Sequence, residues 1–531
     1  MTAQEPERVS EAAAYLAEQI CCGSVDSRAA LERLKKLAAK QYSLNRYVSN
    51  SEIISALEPE MRGAFEEMLR VHPRRSASGI VVVTAFSAPY TCPHGTCIFC
   101  PGGPRAGTPQ SYLPDSPGMK TALGVAFDPF LQVRKCIAKY EANGHRTDKV
   151  ETIVEGGTFI ALPLGYQTSF VKGVYEGLNG CSANTLEEAQ EANESAHNRC
   201  VGLTLESKPD WCRAPDVDLM LRFGITRLEI GVQSLRDETL STSNRGHTVG
   251  DALSAFRVAR DAGLKVTAHM MPGLPGAAPD EDLEDLRALF EHEDLRPDML
   301  KIYPTLVVPG TALARQFEAG RYQPYDLRTV VELLSDMKRF VPRWHRIMRI
   351  QREIPEDEIS AGVRRGNLRE LVLARANEKG WGCRCIRCRE VALGEPAAME
   401  EEDVLAYREE RYSSSGGLEV FGSLEYEKGG RIAGFVRLRV PSGNAHRPEM
   451  NGSTVVRELR VYGRQVELGA RRDNAWQHRG LGASLMQSAE RLSEEEFDSK
   501  KILVTSAVGT RNYYRRLGYE RLGPYMAKRL G

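Results

Sequence analysis

Several features that would assign the chain to a whole class of proteins are missing from its sequence. No apolar run reaches the roughly 18 residues that a membrane-spanning helix needs. Residues 1–8 are polar and partly acidic, without the apolar segment of a secretory signal. No internal repeat or low-complexity tract is present, and 71 Lys and Arg balance 71 Asp and Glu. We therefore expect a soluble cytoplasmic protein that is neither bound to a membrane nor a uniformly basic nucleic-acid coat.

The length and the local composition predict a chain of several domains. Its 531 residues suffice for three or four domains, or for one large fold with an appendage. Composition predicts a helical segment over 1–75, an alternating strand–helix domain over 76–340, a basic linker over 341–395 and a strand-rich domain over 396–531. In the last part, strands are expected over 418–426, 431–440, 454–462 and 502–505, with a helix over 480–496, a short helix and a final strand.

The second part has the pattern of a parallel sheet. Six short β-branched runs alternate with helical stretches and cover 80–86, 150–154, 200–205, 227–232, 264–270 and 299–303. This alternation predicts right-handed βαβ units. Six units match a partial (β/α)6 barrel of the TIM type, in which the active site forms at the carboxyl ends of the strands. Polar residues follow these ends, including Glu206, Gln233, His269 and Tyr303.

The twelve cysteines are spaced unevenly, and the reducing cytosol excludes a disulfide framework. Six are scattered, and we expect them to be small buried hydrophobic residues: Cys21, Cys22, Cys136, Cys181, Cys200 and Cys212. Cys92, Cys97 and Cys100 lie together on a Gly/Pro-rich loop after the first strand. Three thiolates can hold three irons of a [4Fe–4S] cluster and leave the fourth iron open for S-adenosylmethionine (SAM).

The spacing of this loop by itself leaves two interpretations open. It is C-x4-C-x2-C, whereas radical SAM enzymes usually have C-x3-C-x2-C, and a zinc site completed by His94 or by a distant residue fits equally. A Gly-Gly-Thr run follows the second strand, where free backbone groups suit the amino and carboxylate groups of a methionine moiety. This context favours the radical SAM interpretation and predicts SAM contacts at Gly156, Gly157, Thr158, Glu206 and Gln233.

Near the carboxyl end of the chain, Gln477, Gly480 and Gly482 form a Q-x-x-G-x-G turn before an amphipathic helix. Successive N–H groups at a helix amino end suit the pyrophosphate of coenzyme A. Tyr513 and Tyr514 lie on a later helix, where a phenol can protonate or orient the departing thiolate, although core packing explains one of the pair equally well. Together the two elements resemble the GNAT acetyltransferase superfamily, which implies an α+β domain.

A radical SAM barrel joined to a GNAT domain resembles the family of Elongator catalytic subunits. The stretches that carry the resemblance are 92–104, 148–159, 202–210, 227–233, 244–248, 301–305, 366–370, 458–463 and 509–519. The resemblance implies a tRNA-modifying enzyme that forms 5-carboxymethyluridine at the wobble base from acetyl-CoA. In that scheme Cys92, Cys97 and Cys100 bind the cluster, and a 5′-deoxyadenosyl radical removes hydrogen from the acetyl methyl group. The carbon radical then adds to C5 of uracil, and the thioester is hydrolysed.

The resemblance also implies which residues contact acetyl-CoA. They are Lys149, Glu458, Leu459, Arg460, Val461, Leu481, Gly482, Ala483 and Tyr514. Lys149 belongs to the barrel, which implies that coenzyme A bridges the two domains and that this lysine takes part in the reaction. Without the resemblance, Lys149 is an exposed lysine before a strand.

The linker contains a second group of thiols. Cys383, Cys385 and Cys388 form a C-x-C-x2-C knuckle, and three soft ligands so close together predict a metal, with tetrahedral zinc as the default. The resemblance supports zinc, which microbial members of the family carry there. The position between two domains indicates a structural role, and the fourth ligand is not evident from the sequence.

The resemblance implies a tRNA anticodon arm as partner. Basic residues within 28–46, 343–389 and 511–529 are candidate phosphate contacts. A loop base must be splayed out to reach a pocket. An electron donor is also implied, whereas a homodimer and accessory subunits of the Elongator kind stay open.

Two other functions fit parts of the sequence. A protein lysine acetyltransferase with a structural iron–sulfur cluster accounts for the GNAT motifs, but it leaves the Gly-Gly run and the polar strand ends unexplained. A tRNA-binding scaffold with a decayed active site is disfavoured by the intact thiols and the intact Q-x-x-G-x-G turn.

Overall fold

The computed structural model describes residues 5–72, 76, 78–352, 354–391, 404–462 and 480–531. The first part is helical, as expected, with α1 (Glu5–Cys21), α2 (Arg28–Gln41), α3 (Asn50–Ala56) and α4 (Pro59–Leu69). The hydroxyl of Ser27 caps α2 by accepting the N–H of Ala30, and Ser49 and Glu52 form a capping box at α3. These helices pack around their own apolar core, which includes Leu16, Ile20, Leu31 and Ile53.

A parallel sheet of seven strands in sequence order forms the second part. The strands are β1 (Val81–Phe86), β2 (Lys149–Glu155), β3 (Arg199–Ser207), β4 (Arg227–Gln233), β5 (Lys265–Met270), β6 (Met299–Ile302) and β7 (Arg346–Ile350). The helices between them are α5 (Met119–Leu123), α6 (Pro129–Ala142), α7 (Leu164–Asn179), α8 (Leu186–Asn193), α9 (Ala214–Arg222), α10 (Asp237–Thr242), α11 (Val249–Asp261), α12 (Pro279–Glu291), α13 (Ala312–Glu318) and α14 (Leu327–Met337). Strand and helix side chains share one apolar core, which confirms the predicted partial barrel.

The sheet has one strand more than the sequence predicts. β7 lies within the predicted linker and pairs in parallel with β6, with Met299 opposite Arg346. Two of its five residues are arginines, so a search for β-branched runs does not find it. The rest of this region contains α15 (Leu368–Glu378) and α16 (Ile386–Arg389).

The last part is a mixed sheet, in the order β13-β14-β12-β11-β10-β9-β8. Its elements are β8 (Leu405–Ser414), β9 (Gly417–Tyr426), β10 (Ile432–Val440), β11 (Ser453–Val461), α17 (Leu481–Arg491), β12 (Lys501–Val504), α18 (Arg511–Arg515), β13 (Glu520–Leu522) and β14 (Tyr525–Arg529). The predicted strands and helices are present. β8 and β13 are additional, because β8 is a charged edge strand without a β-branched run and β13 is short and exposed.

The second sheet packs against the amino ends of the barrel strands. Tyr525 on β14 donates a hydrogen bond to the carbonyl of Ala262, which lies just before β5, at 2.9 Å. Arg457 on β11 pairs with Asp298, which lies just before β6. The carboxyl ends of the strands, where the first cysteine loop lies, are therefore at the opposite end of the barrel.

The expectation that the scattered cysteines are buried is correct for only some of them. Cys200 and Cys212 are buried as predicted, whereas Cys21, Cys22 and Cys181 are exposed, so the prediction is wrong for these three. The exposed thiols lie at or just after helix ends, where no apolar core covers them.

Within the described ranges, no helix combines the length and apolarity that crossing a membrane requires.

Candidate active site

The loop after β1 carries the first three cysteines. Gln110 fixes this loop, because its side-chain oxygen accepts the N–H of Cys92 at 2.6 Å and its amide donates to the hydroxyl of Thr96 at 2.9 Å. Arg245 donates to Sγ of Cys97 at 3.3 Å. A buried guanidinium thus lies beside the thiol and offsets the charge of a thiolate.

Two glycines after β2 lie beside this loop. Gly156 and Gly157 have φ of 140° and 71°. A Cβ on Gly156 would lie 2.0 Å from Oγ of Ser87, and one on Gly157 would lie 3.2 Å from Sγ of Cys92. The hydroxyl of Thr158 lies 3.8 Å from the same sulfur. The Gly-Gly-Thr run therefore brings bare backbone against the thiol loop, and a side chain at the first glycine would collide with it.

The thiols fit an iron–sulfur cluster better than a single zinc ion. Cys92, Cys97 and Cys100 line one cavity. Among the described residues, they do not form a set of ligand atoms within 4.8 Å of one another, and His94, which hydrogen-bonds to Cys97 at 3.2 Å, does not complete one. A cluster of four irons requires this wider spacing. Burial raises the pKa of Cys100 to about 11, so its thiolate forms when a metal supplies positive charge.

A cavity of about 620 Å³ extends from this loop into the mouth of the barrel. Val82 and Thr84 on β1 line one side and Arg349 on β7 lines another. Because β1 and β7 are the two edges of the sheet, the cavity reaches the open side of the half-barrel. Val71 and His72, at the end of the helical segment, border its outer part. The cavity is large enough for a nucleoside that enters from the side.

Charged side chains from four strands meet at the floor of the cavity. The Lys301 ammonium contacts the Glu229 carboxylate and lies 3.9 Å from Oε1 of Glu206. Nε2 of His269 donates to Oε2 of Glu229 at 2.9 Å. Burial opposes ionisation here, but the charges of Lys301 and His269 hold the pKa of Glu229 well below its ordinary value. Glu229 therefore stays ionised and fixes both neighbours.

A second carboxyl group near this floor behaves differently. Burial and the negative charge of Glu206 raise the pKa of Glu155 to about 8. Tyr112 donates its hydroxyl hydrogen to Glu206 at 3.0 Å. The cavity thus contains an ionised and a protonated carboxyl group at neutral pH, which is the arrangement that proton transfer requires.

Four of the five predicted SAM contacts line the thiol cavity: Gly157, Thr158, Glu206 and Gln233. Gln233 has φ of 74°, a conformation that is rare outside glycine and is concentrated at functional sites. Sequence patterns did not single out the other polar lining residues, Tyr112, Glu155, Glu229, Arg245 and Lys301. One sequence signal could have identified Glu229 and Lys301 as site residues: they are charged residues inside β4 and β6, and buried strands of a parallel sheet are normally apolar.

In the second sheet, two neighbouring strands separate partway along. β11 and β12 pair in parallel from Ser453 to Val456, and β11 then continues to Val461 beside β10. No described strand covers the other side of 457–461, so backbone groups there can pair with a ligand. This run holds four of the predicted acetyl-CoA contacts, Glu458, Leu459, Arg460 and Val461.

Helix α17 begins beside this gap. Gly480 precedes it with φ of 85°. A Cβ on Gly482 would lie 2.8 Å from Oη of Tyr513 and 3.8 Å from Cγ2 of Val461. The structure therefore brings together a helix amino end, the unpaired part of β11 and a phenol, which together suit the pyrophosphate and the thioester of coenzyme A.

The other residues predicted to contact acetyl-CoA are not all located beside this gap. Leu481 and Ala483 occupy the first turn of α17, whereas Gln477 lies outside the described residues. Tyr514 is buried in the core of the second sheet, and burial raises its pKa. Lys149 is the first residue of β2, at the base of the barrel against which the second sheet packs, and burial lowers its pKa.

The second cysteine group is compact. The sulfurs of Cys383, Cys385 and Cys388 lie within 4.8 Å of one another, and no other His, Cys, Asp or Glu of the described ranges joins them. The N–H of Ile386 donates to the carbonyl of His345 at 2.9 Å, which ties α16 to the barrel next to β7. Three thiols at this spacing fit a tetrahedral ion with one position left open.

Some predicted phosphate contacts are internal ion pairs. The buried Arg389 and Arg511 pair with Glu425 and Glu194, and the half-buried Arg346 pairs with Glu390. The prediction is wrong for Arg389 and Arg511, because buried charges cannot reach a phosphate. Exposed basic side chains remain in the same stretches: Arg33, Lys36, Lys40, Arg364, Arg365, Arg384, Arg515 and Arg516.

Four family descriptions match successive parts of the chain. Residues 9–77 match the ELP3 N-terminal domain, 86–290 the Radical SAM superfamily, 297–378 the Radical_SAM C-terminal domain and 473–529 the Acetyltransferase (GNAT) domain. A radical SAM fold implies a [4Fe–4S] cluster and SAM, and a GNAT domain fits acetyl-CoA.

Relatives match over nearly the whole length. The tRNA uridine(34) acetyltransferase of Methanocaldococcus jannaschii is 42% identical over 510 residues, which cover 94% of each chain. Elongator complex protein 3 of Homo sapiens is 42% identical over 509 residues, 94% of this chain and 93% of that one. The structure of Methanocaldococcus infernus Elp3 with an N-terminal deletion (1–46) has a TM-score of 0.75 and 41% identity, over 85% of this chain and 100% of that one. The chain therefore belongs to the Elp3 family, in which a radical SAM half-barrel is joined to a GNAT domain.

Proposed function

We propose that this protein modifies the wobble uridine of tRNA and that the product is 5-carboxymethyluridine, built from acetyl-CoA. One observation carries the proposal. In the barrel domain, the loop with three thiols lies beside Gly156 and Gly157 at the carboxyl ends of the strands. In the second domain, β11 and β12 separate after Val456, next to the amino end of α17. Relatives named tRNA uridine(34) acetyltransferase support the choice of substrate.

The iron–sulfur cluster and SAM are proposed to bind at the carboxyl ends of the barrel strands. The proposed cluster ligands are Cys92, Cys97 and Cys100. The methionine moiety of SAM is proposed to bind to the backbone of residues 156–158. When bound, the cluster and SAM supply the radical chemistry that breaks a carbon–hydrogen bond. Arg245 offsets thiolate charge at Cys97. A protein or small molecule that donates single electrons is a required partner.

The open side of the half-barrel is the proposed entrance for tRNA. A base splayed out of the anticodon loop enters between β1 and β7 and lies against Tyr303. Lys301, held by Glu229, donates to a uracil carbonyl. Arg349 and Arg352 line the same cavity and bind the phosphates next to the base. Exposed basic residues of the helical segment and the linker extend this contact along the anticodon arm.

In the second domain, acetyl-CoA is proposed to bind in the gap after Val456. Its pyrophosphate lies on the amino end of α17, and its amide groups pair with the open edge of β11. Tyr513 adjoins Gly482 and donates a proton to the departing thiolate. Lys149 contacts coenzyme A from the base of the barrel.

The compact group Cys383, Cys385 and Cys388 is proposed to bind structural zinc. Cys388→Ser is expected to lower the zinc content of the purified protein from about one ion per chain, as one soft ligand of the set is lost. Metal analysis checks this, and an unchanged zinc content would contradict it. Because several relatives are named for the Elongator complex, accessory subunits are proposed partners, with a homodimer as the alternative.

The proposal is tested with two tRNAs that differ only in carrying uridine or cytidine at position 34. Each is incubated anaerobically with the reconstituted protein, SAM, acetyl-CoA and a one-electron reductant, and its nucleosides are analysed by mass spectrometry. We expect 5-carboxymethyluridine from the uridine-containing tRNA, and only when both cofactors are present. Acetyl-lysine on a co-incubated protein, without a modified nucleoside, would support the lysine acetyltransferase alternative.

A further inference from the structure

The proposed function gives no role to His94, which lies in the thiol loop. This residue belongs to the C-x4-C part of the loop, which is one residue longer than the C-x3-C spacing that is usual in radical SAM enzymes. Gly95 follows it with φ of 89°, and its N–H donates to the carbonyl of Cys92 at 2.9 Å, so the backbone forms a tight turn here. The imidazole is half-buried and lines the thiol cavity. The longer loop thus carries a ring with N–H groups into the cavity that the three thiols border.

Among the described residues, the ring of His94 has one hydrogen-bond partner, and this partner is a thiol. Nε2 lies 3.2 Å from Sγ of Cys97. Nδ1 is buried and has no hydrogen-bond partner in the described ranges. A cysteine that binds a metal has lost its proton, so the hydrogen between Nε2 and Sγ then belongs to the imidazole. His94 is therefore an N–H donor to the thiolate of Cys97.

Cys97 receives closer donors than the other two thiols of the loop. Besides His94, Arg245 donates to its sulfur at 3.3 Å. The sulfurs of the other two cysteines lie 3.8 and 3.5 Å from the hydroxyl groups of Thr158 and Ser111, respectively. In the part of the chain that the structure describes, the nitrogen donors are thus concentrated on one of the three proposed cluster ligands.

The segment that follows α10 holds the imidazole against this sulfur. Gly246 has φ of 64°, and a Cβ there would lie 2.6 Å from Cβ of His94. On the other side of the ring in the sequence, Nδ2 of Asn244 donates to the carbonyl of Thr96 at 2.8 Å. The position of the ring is therefore set by the packing of the backbone around it as well as by its own hydrogen bond.

We propose that His94 is a positioning residue that sets the reduction potential of the cluster through its hydrogen bond to Cys97. The inference rests on the proposed function, which assigns the three thiols to a [4Fe–4S] cluster. The electron donor that this function requires adds one electron, which makes the ligand sulfurs more negative. An N–H that points at such a sulfur stabilises the reduced state more than the oxidised state. His94 therefore raises the potential, and a weaker electron donor suffices for reduction.

The potential is measured by redox titration of the anaerobically reconstituted protein without SAM, with detection of the reduced cluster by electron paramagnetic resonance. The iron content of each sample is determined in parallel. His94→Phe keeps an aromatic ring of similar size and removes the N–H. We expect this variant to retain its iron and to have about a tenfold lower ratio of reduced to oxidised cluster at a fixed solution potential, which is about 59 mV for one electron. An iron-loaded His94→Phe with the wild-type potential would overturn the proposal.

Two amide variants test whether the N–H itself is responsible. In His94→Gln the amide nitrogen reaches about as far from the backbone as Nε2 of the histidine, whereas in His94→Asn it falls one carbon short. The glutamine should therefore restore at least half of the lost potential, and the asparagine should not. Equal potentials for these two variants would also overturn the proposal. This comparison replaces the first one if His94→Phe does not retain its cluster.

A matched control is His197→Phe, because His197 is exposed just before β3 and lines neither the thiol cavity nor the larger cavity at the mouth of the barrel. This variant should keep the wild-type potential. A shift as large as that of His94→Phe would mean that the hydrogen bond to Cys97 is not the cause.

Iron content and nucleoside analysis separate the two proposals. If the wild type takes up no iron under reconstitution, the proposed function and the inference both fail. If it holds the cluster and forms 5-carboxymethyluridine while the His94 variants have the wild-type potential, only the inference fails. If the potentials differ as expected but no nucleoside is modified, the inference stands and the proposed function fails.

Discussion

The guanidinium of Arg457 on β11 forms two hydrogen bonds with the carboxylate of Asp298 before β6, at 2.7 and 2.6 Å, and both side chains are fully buried. The same arginine also pairs with Glu419 at 2.8 Å. The N–H of Val266 donates to Asp298 at 2.8 Å, which fixes the carboxylate. The two sheets are thus joined by ions that cannot separate without leaving a charge unpaired inside the protein.

Removal of this link is expected to destabilise the whole chain. Arg457→Gln leaves Asp298 buried without its main cation, which costs about 3–5 kcal/mol and lowers the thermal midpoint by on the order of 10 °C. Scanning calorimetry measures the midpoint. Arg491→Gln, which removes an exposed pair with Glu495, is the control and should change it by less than about 2 °C. Equal midpoints for the two variants would contradict this role of Arg457.

The thiol loop and the gap between β11 and β12, where acetyl-CoA is proposed to bind, lie at opposite ends of the barrel. A variant of one site is therefore expected to leave ligand binding at the other site unchanged. Cys97→Ala is expected to lose iron and to abolish nucleoside modification, because a cluster ligand is gone. Its affinity for acetyl-CoA should stay within about threefold of the wild type, as measured by calorimetry. The control is Cys200→Ala, which removes a buried thiol outside the loop and should keep both iron and modification. Equal loss of acetyl-CoA binding in Cys97→Ala would argue against two separate sites.

The raised pKa of Glu155 predicts how stability depends on pH. The folded protein holds the proton of Glu155 up to pH of about 8, whereas the unfolded chain releases it near 4.5. Between these values the folded state binds more protons, so stability falls as pH rises through this window. Glu155→Gln removes this dependence and should raise the thermal midpoint relative to the wild type at pH 8 by more than at pH 5. A difference that is the same at both values would mean that Glu155 is not protonated in the folded state.

The paired tyrosines are expected to have different roles. Tyr513 adjoins Gly482 at the amino end of α17, whereas Tyr514 is in the core. Tyr513→Phe should slow release of free thiol from acetyl-CoA in the presence of tRNA by about 100-fold, because a general acid is lost. Tyr514→Phe keeps the ring and should change the rate by less than about threefold. A larger loss for Tyr514→Phe would reverse the assignment.

The sequence predicts the strand order better than it predicts the site. The six β-branched runs of the barrel region are all strands in the structure. The sequence does not predict β7, because Arg346 and Arg349 give this segment the basic composition of a linker. The half-barrel and the GNAT domain could be expected because local patterns and short motifs define them.

Contacts between distant parts of the chain were not predictable in the same way. Glu206, Glu229 and Lys301 lie on three different strands that are far apart in the sequence, and no local pattern specifies that their side chains meet. The burial of Arg511 against Glu194 likewise depends on how two domains pack, which no local pattern specifies. For this reason several arginines of the linker and of the last helix were expected to bind tRNA although they hold the protein together.

Acetyl-CoA is proposed to supply the carbon that is added to the wobble uridine. The most direct measurement uses acetyl-CoA labelled with ¹³C at both acetyl carbons, in an anaerobic reaction with the reconstituted protein, SAM, reductant and tRNA. Mass spectrometry of the digested tRNA should reveal 5-carboxymethyluridine that carries both labelled carbons, and none when SAM is left out. A modified nucleoside without the label, or label found on lysine instead of uridine, would contradict the account.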